Sequence, residues 1–185
     1  MKPIFVPALI ACLQISAAPA LAQTAASPYV GQEVRDIKAL SPEDVDAYLS
    51  GKGMGLAKAA ELNGYAGPSH VLELASQLEL TPEQRTETEA LFASMAAKAA
   101  SLGKMLVTEE RKLDHLFATK SITPEALSSA LAEIGALQAK VRGAHLEAHL
   151  AQIEILTPEQ NARYAQLRGY GESAAHSGNH AHHGH

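Results

Sequence analysis

Leu80-Thr81-Pro82-Glu83-Gln84 and Leu156-Thr157-Pro158-Glu159-Gln160 spell one word, LTPEQ, twice in the chain. Each copy is a complete helix start. The Thr hydroxyl accepts from the first turn's backbone, and Pro gives up an N–H that would have no partner there. Glu meets the positive end of the helix, and Gln reaches back three positions to the capping residue. Ser41-Pro42-Glu43 and Thr123-Pro124-Glu125 are partial versions without the Gln. The placement of the two copies says more than their content. Helical segments over 81–118 and 124–155 flank a connection around Thr119–Thr123, short enough to force an antiparallel hairpin. Facing positions in that hairpin have residue numbers that sum to about 241, so Pro82 and Pro158 meet at its open end.

Apolar residues follow helical spacing on both arms: Leu91, Met95, Ala99, Leu102 and Leu106 on the first, and Leu127, Leu131, Ile134, Val141 and Ala148 on the second. Gln138 and His145 fall on the same stripe. Two helices cannot bury such seams alone, so short helices or a second copy of the chain must cover them. Three short helices are expected before the first arm, in SPEDVDAYL, in GLAKAAELNGY stopped by Asn63-Gly64, and in SHVLELASQLEL capped by Ser69. With no Trp, three Phe and five Tyr, the composition suits thin helix-on-helix packing. The fold class is therefore all-α: a long antiparallel helical hairpin with short flanking helices. A formal charge of -5 supplies no basic field, which argues against a nucleic-acid partner.

Residues 1–22 carry Lys2, an apolar run and a small-residue end at Ala20-Leu21-Ala22, the pattern of a cleaved secretory signal. Leu9–Cys12 offers a lipoprotein-like box, but only eleven residues precede the Cys. Cleavage after Ala22 removes Lys2 and Cys12, taking the formal charge from -5 to -6 and leaving no thiol. Residues 23–67 read as a partly ordered lead-in with short helices, 68–170 as the hairpin domain, and 171–185 as a disordered His-rich tail.

Paired Leu-Thr-x-x-Gln words around a helical hairpin, behind a secretory signal, resemble the periplasmic LTXXQ family over residues 68–170. That family includes the Spy/CpxP chaperones and related heavy-metal resistance and sensor proteins. The resemblance implies a cradle-like homodimer in the periplasm that binds a divalent heavy metal and holds unfolded envelope proteins without ATP. It equally admits a metal-responsive regulator that docks on a membrane sensor kinase or an anti-sigma factor. Spy-like members present a basic surface to clients whereas this chain is acidic, so holding should be weak. No phosphate loop, nucleophile elbow or zinc-protease His-Glu-x-x-His word occurs, and no enzymatic role is expected.

His145 and His149 lie four residues apart and so share a helix face, the spacing at which two imidazoles can hold one ion. Seam-edge histidines with local hydrogen bonds are the other reading of the pair. Met95 and Phe92 should face them, and Lys98 should fall nearby. The metal-sensing relatives place a His on the first helix, a Glu on the second, and a His with a second donor four residues on in the last long helix. Carried over, those positions are His70, Glu87, His145 and His149. Five more histidines, His176, His180, His182, His183 and His185, sit in the tail at irregular spacing, as a metal tether rather than a purification scar. Imidazole and carboxylate donors without thiolate suit Zn, Ni, Co or Cu over Ca or Mg. His115 falls opposite the apolar stripe and should be solvated.

Overall fold

A computed structural model describes residues 27–170; the segment expected to be an export signal and the five tail histidines lie outside the described residues. The fold below is that of the unit beginning at Gln32. Among the described residues there are six helices and no strand: α1 (Pro42–Leu49), α2 (Lys58–Glu61), α3 (Pro68–Glu73), α4 (Pro82–Ala118), α5 (Pro124–Ile155) and α6 (Pro158–Leu167). The two long segments expected from sequence are α4 and α5, packed against each other as a hairpin.

Both LTPEQ words cap as their chemistry requires. Thr81 and Thr157 each accept through Oγ1 from the backbone N–H three residues on, at 3.2 Å in both cases. The return bonds run from Thr81 N to Gln84 Oε1 at 3.1 Å and from Thr157 N to Gln160 Oε1 at 2.9 Å. The local role is only half of what the Gln does. Gln84 Nε2 donates to Gln160 Oε1 at 2.8 Å and to the Ile155 carbonyl at 2.9 Å. Gln160 Nε2 answers with bonds to Gln84 Oε1 at 3.0 Å and to the Leu78 carbonyl at 3.1 Å. Each amide thus donates twice and accepts twice, and the two helix starts are bonded to each other. The partial words lack this clasp: Thr123 caps Ala126 alone, and Ser41 closes its box with Asp44.

The short helices cover one side of the hairpin. α1 and α3 pack on α4, while α2 and α3 pack on α5. α1 comes so close that a Cβ at Gly103 of α4 would collide with the Tyr48 carbonyl, so that position needs Gly. One cluster, Leu106, Ile134, Leu137 and Val141, joins the arms with Tyr48 and Leu56 packed on it. A second, Val71, Leu78, Leu156 and Tyr164 with Ala66, closes the open end.

Two expectations need correction. The seam on α5 runs Ile134, Leu137, Val141, Ala144 and Ala148, with Leu131 and Gln138 exposed. It widens around His145 and His149 because α2 and α3 cover α5 there as well as α4. α3 begins at Pro68 with Gly67 as its cap, and Ser69 instead bonds Glu73 Oε1 at 3.4 Å. The lead-in before α1 is anchored through Asp36, Ile37 and Lys38. Ile37 is buried, Asp36 pairs with Arg111 at 2.9 Å, and Lys38 pairs with Asp114 at 3.2 Å.

Gln160→Glu keeps the size of the side chain but removes both donated bonds and sets a carboxylate oxygen against the Leu78 carbonyl. We expect urea unfolding to show a loss of about 1–3 kcal/mol, the cost of a buried polar group left without its partner. Asp44→Asn, which touches a purely local box, should cost less than half as much.

Candidate metal centre

At the open end, the turn Gly51–Gly55, α2 and the start of α3 close over α4 and α5 and leave a cleft of about 630 Å³. Phe92 and Met95 line it opposite His145 and His149, as the expected hairpin pairing requires. His70 lies at the rim, its side chain 38% exposed.

His145 and His149 are buried, at 4% and 9% exposure. His149 Nδ1 lies 2.8 Å from the Tyr65 carbonyl oxygen. A carbonyl only accepts, so Nδ1 carries a proton here, and Nε2 is the ring atom left to present a lone pair to a ligand. That side of the ring faces Gly67, where an added Cβ would lie 2.9 Å from Nε2 and 3.4 Å from Glu61 Oε2. Any larger residue at 67 would fill the space shared by the imidazole and the carboxylate. His145 Nε2 is buried without a hydrogen-bond partner. Burial first, and the neighbouring His149 second, hold the His145 pKa below its usual 6.5.

Glu61 is a cleft residue that sequence reading did not single out. It sits on α2 at 9% exposure and lines the cleft. Its Oε1 accepts from Tyr164 Oη at 2.6 Å, Tyr170 Oη at 2.8 Å and Arg168 Nε at 3.3 Å. Its Oε2 is buried without a hydrogen-bond partner, 3.8 Å from His149 Nδ1. Burial, reinforced by the hydrogen bond to Glu61, pushes the Tyr164 hydroxyl far above its usual range, so it is a fixed donor. The only sequence signal was the pair of chain breaks at Asn63-Gly64 and Gly67-Pro68, which folds Glu61 back toward His70, whose Nδ1 stands 3.6 Å from Glu61 Oε1.

The structure thus brings His70, His145 and His149 to one cleft and leaves Glu87 out. Thr88 is the inward residue of that turn of α4, fully buried and bonded by Gln152 Nε2 at 3.2 Å. Glu87, about 100° away around the helix, is exposed. Lys98 does not face the cleft; it pairs with Glu147 at 2.6 Å. His115 is exposed, as its position opposite the stripe implied. Among the described residues, no three His, Cys, Asp or Glu side chains are gathered tightly enough to hold an ion as they stand. The cleft offers imidazole and carboxylate groups, with His145 Nε2 and Glu61 Oε2 buried and without a hydrogen-bond partner. That donor chemistry fits a transition metal.

The His145 shift makes the fold acid-sensitive. Its folded-state pKa is lowered, so below about pH 6.5 the unfolded chain takes a proton that the folded chain resists. This contribution is complete above that pH and is lost as the pH falls through the depressed value. Urea midpoints should drop between pH 7.5 and pH 5, and His145→Gln should flatten the drop. An unchanged slope in the variant would contradict the assignment.

A model of a heavy-metal resistance family matches residues 53–163, taking in Glu61, the three cleft histidines and both LTPEQ words. Neither the curated proteins nor the solved structures searched gave a match. The family includes the LTXXQ and Spy/CpxP-like periplasmic proteins, as the paired words had suggested. With more than half of its length matched, the chain belongs to the heavy-metal resistance family.

Proposed function

We propose that this protein is a periplasmic, non-enzymatic stress protein that takes up a divalent transition metal in the cleft at the open end of its hairpin. The observation that carries the reading is the pair of buried, unpartnered donor atoms, Glu61 Oε2 and His145 Nε2, in the wall of one cleft. Such atoms cost about 1–3 kcal/mol each when left without a partner, and a cation would satisfy both. His149 would add Nε2, held in the ligating tautomer by the Tyr65 carbonyl. Tyr164, Tyr170 and Arg168 would orient the Glu61 carboxylate. Glu61 takes the place given to Glu87 in the expected set. The donors favour Zn, Ni, Co or Cu, and Ala20-Leu21-Ala22 together with the family's usual compartment supports export.

A homodimer belongs to the same reading. α4 contains an 18-residue window apolar enough to cross a membrane, and only 22% of it is buried within the chain. Met105, Leu131 and Leu150 are also exposed. That surface would serve a second copy, or, weakly given the acidic charge, unfolded envelope proteins. One observation favours the regulator reading as a second choice. The carboxylate whose Oε2 faces the cleft also holds α6 through Tyr164, so an ion in the cleft would be felt at α6 by a docked sensor protein.

Calorimetric titration of the full chain with Ni²⁺ or Zn²⁺ tests the site. His149→Asn keeps a donor for the Tyr65 carbonyl but removes Nε2, and it should weaken one class of binding by at least about tenfold. That class should also fade as the pH drops through the imidazole range, because a protonated ring cannot ligate. Unchanged binding by the variant would leave the cleft histidines structural. Sedimentation at micromolar protein tests assembly: a dimer is expected, and a stable monomer would show that the segment before α4 suffices as cover.

A further inference from the structure

Two of the chain's four methionines, Met54 and Met95, line the cleft that holds His145 and His149. The turn Gly51–Gly55 carries the first and α4 carries the second. Glycines seat that turn on both walls. A Cβ at Gly51 would lie 2.5 Å from the Ala96 carbonyl oxygen, one residue past Met95, and a Cβ at Gly53 would lie 4.0 Å from His145 Nδ1. Met54 itself adopts φ +47°, in the left-handed region that glycine enters freely and other residues enter at a cost. Glycine stands on either side of it, so a third would carry the turn without strain. Packing does not offset the cost, because Met54 is 41% exposed. Strain of this kind collects where a side chain is used.

The charge of the wall selects further. Glu61 is the single acidic residue lining the cleft, against Lys52, Lys58 and Arg168. Asp46, outside the cleft, answers Lys52 at 2.8 Å, which leaves Lys58 and the Arg168 guanidinium with one carboxylate. That carboxylate neutralises a monovalent ion, whereas a divalent ion leaves positive charge beside them. Thioether and imidazole are uncharged donors, and thioether sulfur is soft, the combination that suits a soft monovalent ion.

Resting on the cleft reading above, we infer that the cleft also takes Cu⁺ or Ag⁺, through the thioethers of Met54 and Met95 together with the His145 and His149 imidazoles. Glu61 balances the charge. Divalent ions use imidazole and carboxylate and leave the sulfurs unligated, so the methionines separate the two classes of ion.

Ag⁺ is the redox-stable probe. The full chain, with Cys12 alkylated so that no thiol competes, carries methionine labelled with ¹³C at the methyl group, and single Met→Leu variants assign its four signals. Methyl signals report the sulfurs alone, so imidazoles elsewhere in the chain do not enter the readout. Met105, exposed and outside the cleft, is the internal control. One equivalent of Ag⁺ should move the Met54 and Met95 methyls together and leave Met105 in place, and Zn²⁺ should produce no comparable shift. Competition with bicinchoninate gives the Cu⁺ affinity. The double variant Met54→Leu, Met95→Leu keeps the apolar volume, and far-UV helix signal verifies its fold. It should weaken Cu⁺ binding by at least about tenfold, the loss that even outer-shell changes bring, and leave Zn²⁺ binding within about twofold. Unmoved Met54 and Met95 signals, a Met105 shift as large as theirs, or Cu⁺ affinity unchanged in the double variant would each overturn the inference. Zn²⁺ binding that falls with His149→Asn while the thioethers stay silent to Ag⁺ would overturn it and leave the cleft reading standing. If neither ion responds to its own variants, both fall.

Discussion

Two primary amides facing each other hold the open end of this fold. Gln84 and Gln160 exchange hydrogen bonds at 2.8 and 3.0 Å while each still caps its own helix. An amide is the only side-chain group of that length that can accept from a capping N–H and also donate to a partner. Glu could fill the local box but would bring two carboxylates together. This is why the same word appears twice: its two copies touch, and each needs what the other offers. The bonds to the Ile155 and Leu78 carbonyls extend the clasp to the end of α5 and to the turn that leads into α4.

The position of the cleft follows from that clasp. It sets the register of α4 against α5, which puts Thr88 against Gln152 and, further in, Phe92 and Met95 opposite the two histidines. It also fixes where α6 departs, so that Tyr164 reaches back to Glu61. Glu61 then divides its work between its oxygens. One is saturated by two phenols and a guanidinium, and the other is buried with nothing bonded to it. Gly67 keeps the space beside that free oxygen open, because any side chain there would meet the His149 ring.

The hairpin was legible because its signals are local and strong: cap words, helical spacing and a short tip. The His145 and His149 pair was legible for the same reason, since four residues along a helix always share a face. Glu87 lies outside the cleft, because a resemblance carries a residue type to a position without fixing which way a helix turns there. Thr88 took the inward place through its bond with Gln152. Glu61 was invisible because its burial depends on Tyr164 and Tyr170, more than a hundred positions away, and no local pattern in a four-residue helix reports that. The clasp itself was half visible. The cap role can be read from one word, whereas the pairing needs both words in space.

The proposed ion would sit among Glu61, His145 and His149. Anomalous diffraction at the nickel edge, from crystals of the full chain loaded with one equivalent of Ni²⁺, locates the ion directly. A single strong peak within coordination distance of His149 Nε2 and the Glu61 carboxylate is the expected result. A cleft without anomalous density, with nickel found only at surface histidines such as His115, would contradict it.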